Sequence, residues 1–461
     1  MKIDTDIVPE HLDSSLQSFW EISDQKIRLI EKEYDLSRGS PVFTINGKYT
    51  TRAWTDWTQG FQYGSRLLQF DATGDEKHLE KAKQLITDNM ASHVSDFGVH
   101  DHGFNNISTY GNLWRLMREE KIPHDRQEQN FYEMALKVSG AVQARRWTRI
   151  REDGGFIYSF NGPHSLFVDT IRSLRSLAVS HLLGHTLHDE TGGSVSLLER
   201  LLKHAYATAR YSVYYGDGRD SYDVRGRTVH ECIFNVESGR FRCPSTQQGY
   251  SPFTTWTRGL SWAMAGFAEQ LEYLDILDQS EFADYGGWET VREWVVKAAT
   301  ATGDFFIENT PIDGIPYWDT GAPNLWQLGD YLEQPADPFN AHEPVDSSAA
   351  AIGVQGLLRL GHYFRKQKQT EAGGKYFQAG LTVLQTLLDE PYLSTDPGHQ
   401  GLLLHSIYHR PNGWDHIPEG QHIPCGESCM WGDYHLREAA LYVRRLIEHE
   451  PYYAFFGPGS E

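Results

Sequence analysis

A chain of 461 residues, 39% hydrophobic and 13% aromatic with charge spread along its length, holds enough apolar material for one large domain or two ordinary ones and excludes a disordered protein. Its formal net charge of -20 weighs against nucleic acid and anionic membranes, both of which need a basic surface. Four cysteines (Cys232, Cys243, Cys425, Cys429) make no disulfide framework and fit no common zinc spacing. No run approaches the roughly 18 apolar residues of a membrane span, and MKIDTDIVPEH lacks an apolar signal core, so the expected location is cytoplasmic.

Apolar residues recur at helical spacing from end to end, and strand-like alternation is scarce. The spacing predicts helices near 11–34, 56–71, 77–93, 105–119, 126–145, 168–184, 192–212, 255–275, 288–306, 346–367, 371–389 and 431–448. Three long connections rich in Gly, Pro, His and Trp (213–254, 309–345, 393–430) read as functional, because such lengths are uncommon inside a compact domain. WTQGF at 57–61 and WTRGL at 256–260 echo each other as helix openings in which Gly permits close backbone approach; coincidence accounts for the echo equally well. No Pro/Gly/Ser linker or charge run divides the chain. A single domain over 1–461 is therefore expected, with a helical N-terminal extension of about 1–50, and about a dozen helices with long loops at one end suit a closed ring of helical hairpins.

Thirteen Trp and 24 Tyr exceed the needs of a core, and such rings line sugar-binding grooves readily. Asp101, in GVHDHGF, has Gly98 and Gly103 beside it, which would let the loop turn sharply and aim the carboxylate. His100 and His102 form an H-x-H metal fragment without a third ligand at a recognisable spacing, and a purely structural loop is a further reading. Asp169, in FVDTIRSLRSL, follows Phe167 and Val168, which would raise its pKa; plain helix N-capping explains it equally. Two such acids facing each other would keep one ionised and the other protonated, fit to be a general acid. His230, Gln248, Arg258 and Trp262 form a set able to grip a carboxylate and hydroxyls under an indole, Arg258 and Trp262 sharing a helix face; the alternative pairs Arg258 with a surface acid and buries Trp262 in the core. Asp346 before Ser347 and Ser348 reads as a helix start, Trp318 and Asp319 as a pocket border, and Asp433 as a helix brace.

WTQGF, HDHGF, FVDTIRSL, QGYSPFTTWTRGLSW, DSSAAAI and WGDYHLREAAL, in this order from about 55 to 445, resemble the blocks of the unsaturated glucuronyl hydrolases, glycoside hydrolase family 88, and their rhamnogalacturonyl-hydrolase relatives. The resemblance implies an all-α (α/α)6 barrel that removes a 4,5-unsaturated uronic acid from the non-reducing end of lyase-generated oligosaccharides. A carboxylic acid protonates C4, charge develops at C5, water adds there, and the hemiketal opens; the usual inference from carboxylate separation to stereochemistry does not apply. By motif, Asp169 matches the general acid/base, Asp101 its partner carboxylate, and His230, Gln248, Arg258 and Trp262 substrate contacts. His100 lies beside the acids and Trp57 near the sugar. No metal or other cofactor is implied, and the oligomeric state stays open. His102, Arg172 with Ser173, TWTRG and an insertion after His230 depart from the family's pattern; Arg172 reads as a surface salt bridge or as a contact for sulfate or a second carboxylate. Two alternatives remain: an inverting glycosidase on the same barrel acting on saturated sugars, and a non-catalytic carbohydrate-binding relative.

Overall fold

The computed structural model describes residues 1–52, 56–151 and 154–456. In chain order its α-helices are α1 (Asp13–Glu33), α2 (Gln59–Thr73), α3 (Glu76–Asn89), α4 (Ala91–Val94), α5 (His102–Asn106), α6 (Asn112–Arg118), α7 (Arg126–Arg145), α8 (Thr170–Ser173), α9 (Arg175–Leu182), α10 (Leu197–Ala207), α11 (Thr257–Leu274), α12 (Trp288–Glu308), α13 (Ser347–Lys366), α14 (Thr370–Leu387) and α15 (Met430–Ile447). A π turn, Ile107–Gly111, joins α5 to α6, and another, Thr208–Ser212, extends α10. All twelve predicted helices are present, four of them interrupted: 77–93 at Met90, 105–119 and 192–212 by a π turn, and 168–184 at Leu174.

Local chemistry sets many of the ends. Asp125 accepts hydrogen bonds from the amides of Gln127 and Glu128 to start α7, and Ser196 accepts from Glu199 to start α10, each satisfying amides that the helix leaves unpaired. Gly74, in the left-handed region at φ 72°, ends α2.

The helices fall into two kinds. Helices α3, α7, α10, α12 and α14 bury one stripe, as Leu197, Leu198, Leu201, Leu202 and Ala205 show in α10. By contrast, α11 is buried at every residue except Glu272, and α13 and α15 are buried over most of their length. Each deeply buried helix packs on the next: α2 on α5, α5 on α8, α8 and α9 on α11, α11 on α13, α13 on α15, and α15 back on α2.

Glycines make the tight contacts in this circuit. A Cβ at Gly60 would lie 2.4 Å from the Cα of Asn105, one at Gly103 2.2 Å from the carbonyl oxygen of Ser173, and one at Gly356 2.8 Å from the amide nitrogen of Ala265. Gly60 thus fulfils the close backbone approach read from WTQGF, whereas Gly259 meets side chains, Trp256 and Val168.

Between these helices lies a buried ion-pair network. Arg172 contacts Glu269 at 2.8 Å and Glu438 at 2.9 Å, Arg175 lies 3.5 Å from Glu438, and Gln355 donates to Glu438 at 2.7 Å. Arg172 is wholly buried, which overturns both sequence readings of it: it reaches neither the surface nor a sugar. Its role is to neutralise interior carboxylates, a task that holds three helices in register.

Nine short strands among the described residues form four small sheets. In the largest, Ser165–Phe167 pairs antiparallel with Glu231–Asn235, which pairs in turn with Arg240–Ser245. The insertion after His230 is thus a β-hairpin that delivers Gln248 to the next helix. No helix is long and apolar enough to cross a membrane among the described residues.

Candidate active site

The N-terminal ends of α2, α5, α8 and α11 meet at one cleft, which with the solvent at its mouth encloses about 680 Å³. Trp57 precedes α2, Asp101 is the N-cap of α5, Asp169 that of α8, and Trp256 that of α11. All four line the cleft, so the positive ends of several helix dipoles face the same space. His100, Gln248, Arg258 and Trp262 line it too, so seven of the eight predicted site residues share one wall or another.

The eighth, His230, stands behind the wall. Its carbonyl accepts from the amide of Val168 at 2.9 Å, its Nδ1 accepts from the amide of Gln247 at 2.9 Å, and its ring packs on Phe167 and edge-on to Trp256. It therefore ties the strand leading to Asp169 to the turn carrying Gln248. Burial holds its pKa down at about 4, so the ring is neutral.

Neither Asp101 nor Asp169 uses its carboxylate to cap its helix, which removes the N-capping explanation of Asp169. His100 lies between them, Nε2 at 3.4 Å from Asp169 Oδ1 and 3.7 Å from Asp101 Oδ1. Its ring stacks on Phe160 and meets Phe167 edge-on, while its carbonyl accepts from Gln143 and Ser173.

Burial alone would depress the His100 pKa, but the charges of Asp101 and Asp169 outweigh it and raise it. Burial raises Asp101 above the usual carboxylate range against the opposing charge of His100, with Asp169 adding to the rise. Burial also works to raise Asp169, yet the contact and charge of His100 hold it low. Burial and His100 therefore push the two carboxyls in opposite directions, Asp101 up and Asp169 down, the histidine between the acids outweighing the burial of Asp169.

Arg258 is buried and held on every side. It donates to Asp346 at 2.9 Å, to Gln248 Oε1 at 2.9 Å, to the Tyr408 carbonyl at 2.7 Å and to the Ile407 carbonyl. The acid that pairs with it is thus interior, not on the surface, and its charge is largely neutralised before any ligand arrives. Asp346 also caps α13 through Ser348, as its sequence context suggested. Trp262 packs against Phe104 and His435 at 4.9 Å each, and Trp57 stacks on Trp431 at 4.9 Å and 26°.

His102 faces away from the cleft. Its Nδ1 contacts Ser139 Oγ at 2.9 Å and its Nε2 the Asp96 carbonyl at 2.8 Å, with burial taking its pKa down to about 4. The two histidines of HDH do not converge, so this motif does not form a joint metal-binding pair. Among the described residues, Asp24, Asp75 and His78 bring three donors of metal-ligand type together, and Arg28 already pairs with both acids there.

Gly98 lies in a turn ahead of Asp101, as read, but Gly103 does not. Neither has a positive φ; Gly103 sits inside α5 against the backbone of Ser173. Trp318 and Asp319 do not border the cleft either: Trp318 donates to Glu343, and Asp319 accepts from the amides of Tyr250 and Gly321, bracing the Gln248 loop from behind. Asp433 braces as read, accepting from the amides of Leu402 and Leu403 and from Tyr49.

Phe104, Phe160, Gln247, Tyr408, His409 and Trp414 complete the lining and were not singled out from the sequence. The last three come from the 393–430 connection, whose length and Trp/His content carried the available signal. Asp415 fixes them, accepting from the amides of Tyr408 and His409.

A buried pair of carboxylates with a histidine between them thus lies under a cleft walled by four indoles (Trp57, Trp256, Trp262, Trp414), an arrangement suited to acid/base chemistry on a sugar. No family model matches the chain. It is 25% identical over 412 residues to an unsaturated glucuronyl hydrolase of Bacillus sp. (strain GL1), covering 87% of this chain and 90% of that one. It is 24% identical to an unsaturated chondroitin disaccharide hydrolase of Streptococcus pyogenes serotype M1, covering 89% of this chain and 86% of that one. The crystal structure of the Bacillus sp. GL1 unsaturated glucuronyl hydrolase has the same fold, with a TM-score of 0.69 at 22% identity over 96% of this chain and 99% of that one. The curated relatives and the solved structures that it resembles are thus named unsaturated glucuronyl hydrolases and unsaturated chondroitin disaccharide hydrolases.

Proposed function

We propose that this protein is a single-domain (α/α)6 barrel, with α1 and the residues before α2 as an N-terminal extension, that removes 4,5-unsaturated uronic acid from the non-reducing end of lyase-generated oligosaccharides. The return of α15 onto α2 supports closure of the ring, and the names of the curated relatives support the substrate class. Its four cysteines are all unpaired, which suits a reducing, cytoplasmic setting.

The observation that carries the chemistry is the His100 bridge between two uncapped carboxylates. In this reading Asp169 gives its proton to C4 of the vinyl ether, positive charge develops at C5 beside the ring oxygen, and Asp169, now a carboxylate, takes a proton from the water that adds at C5. The hemiketal then opens and releases the remaining sugar.

Asp169 must first be protonated, and substrate entry favours this. The incoming uronate displaces water and adds negative charge, and both raise a neighbouring carboxyl's pKa. Asp101, raised by burial, stands beside the same histidine. The helix N-termini offset the anionic ligand, because Arg258 is occupied by Asp346; Arg258 acts chiefly by fixing Gln248 and the Tyr408 backbone. Trp57 and Trp262 both line the cleft, Trp262 as a buried ring packed on Phe104 and His435.

Incubation with unsaturated disaccharides from chondroitin, heparin, hyaluronan, xanthan, gellan, ulvan and pectin lyases tests the proposal. Loss of the near-UV absorbance of the double bond on at least one class is expected. No loss on any class would refute it, and sugar binding seen by tryptophan fluorescence without loss would favour a non-catalytic relative.

A further inference from the structure

Helix α1 lies against α2 and α15, and with α3 they enclose a second cavity of about 630 Å³, the solvent at its mouth included. It shares no lining residue with the cleft. Ile27, Ile30, Tyr34, Leu85 and Met430 give it apolar walls. The side chains of Glu31 and Lys81, 42% and 36% exposed, mark its opening, and the buried Ser65 and Arg437 its floor.

The floor holds a cation that lacks a counter-ion. Five arginines are less than 2% exposed: Arg115, Arg172, Arg175, Arg359 and Arg437. Four of them meet a carboxylate, Arg115 with Asp71 at 2.7 Å, Arg172 with Glu269 at 2.8 Å, Arg175 with Glu438 at 3.5 Å and Arg359 with Glu272 at 2.7 Å. Among the described residues no carboxylate pairs with Arg437. It donates to Ser23 Oγ at 2.8 Å, to Ser65 Oγ at 3.3 Å and to the Asp433 carbonyl at 3.1 Å, and its Nη2 has no hydrogen-bond partner among the described residues. The Asp433 carboxylate acts on it only from further off, being taken by the amides of Leu402 and Leu403 and by Tyr49. Arg66 and Lys81 both pair with Glu31, the one acid on the wall among the described residues, so the cavity is net positive in a chain of net charge -20.

We propose that this cavity binds a small monocarboxylate with an apolar body, its carboxylate on Arg437 Nη2 and its hydrocarbon against Ile27, Ile30, Leu85 and Met430. A buried cation without a counter-ion is unfavourable, and an anion seated beside it offsets that penalty. One charge matches one unpaired guanidinium, whereas a doubly charged phosphate loses more hydration on entry. The apolar walls select against a sugar acid, whose hydroxyls would give up water there without return. The site goes beyond the proposed reaction and does not depend on it.

Calorimetric titration of the full chain near neutral pH with octanoate, octanol and acetate tests the site. Two variants accompany it, Arg437→Met and Leu85→Trp, the second filling the cavity while leaving the guanidinium in place. Octanoate should bind the wild type one to one. Octanol, which lacks the charge, and acetate, which lacks the apolar body, should each bind at least about 10-fold more weakly, and each variant should lose about 10- to 100-fold in octanoate affinity. No binding of octanoate to the wild type, octanol or acetate matching octanoate, or unchanged octanoate affinity in either folded variant would overturn the proposal. Where Arg437→Met shows no cooperative melt, Leu85→Trp decides alone: lost octanoate binding upholds the site, and retained affinity overturns it.

Discussion

Asp169 and His100 carry the account at the scale of single residues. Asp169→Asn removes a proton donor while leaving the helix start intact, because the asparagine oxygen can keep the carboxylate's contact with the Thr170 amide. Turnover should fall about 10²- to 10⁴-fold, the range for a lost general acid, with the melting temperature unchanged within a few degrees. Residual activity near wild type would contradict the assignment. His100→Gln tests the bridge. His100 holds the Asp169 pKa down, so its removal leaves burial to raise it. The limb of kcat/KM that falls as Asp169 loses its proton should therefore move to higher pH, and a shift to lower pH would contradict the account. The two acids were legible in sequence because each opens a helix amid recognisable neighbours. Their electrostatic order was not, since it depends on the placement of His100 against Asp169, 69 positions apart.

Among the elements, helices were legible and strands were not. A helix repeats its apolar pattern over several turns, whereas the strands run only two to six residues, too few to establish an alternation. The wall supplied by Tyr408, His409 and Trp414 was also hidden, because it is set by Asp415 and by the reach of Arg258 to the Ile407 and Tyr408 carbonyls across the sequence. Contacts between helices yield a further prediction. A methyl group at Gly103 meets the Ser173 backbone, which cannot rotate away, so Gly103→Ala should destabilise by about 1–3 kcal/mol or more, as overpacking does. Because α5 carries Asp101 and α8 carries Asp169 at their starts, the same change should also lower kcat. Chemical denaturation and steady-state rates check both, and a neutral variant would show that the two helices have room to part.

For the whole molecule, buried histidines set the response to acid. Burial takes His102, His230, His405 and His409 down to about 4, and His204 and His435 to about 3. Below the unfolded value near 6.5 the unfolded chain gains protons that the folded one refuses. Stability is therefore full above about 6.5 and falls as pH drops towards 4, at up to about 1.4 kcal/mol per pH unit for each histidine. Asp71, lowered to about 2 against its burial by Arg115 and Arg445, adds a loss in the same direction below 3.8. The melting temperature should drop steeply between about pH 6.5 and 5, and a flat profile would contradict the neutral histidines. The central claim is that the reaction consumes the C4=C5 double bond, and it is tested most directly by a matched pair of disaccharides differing only in that bond. The account predicts that the protein releases sugar from the unsaturated member with loss of its near-UV absorbance and leaves the saturated member intact; release of sugar from both would contradict it.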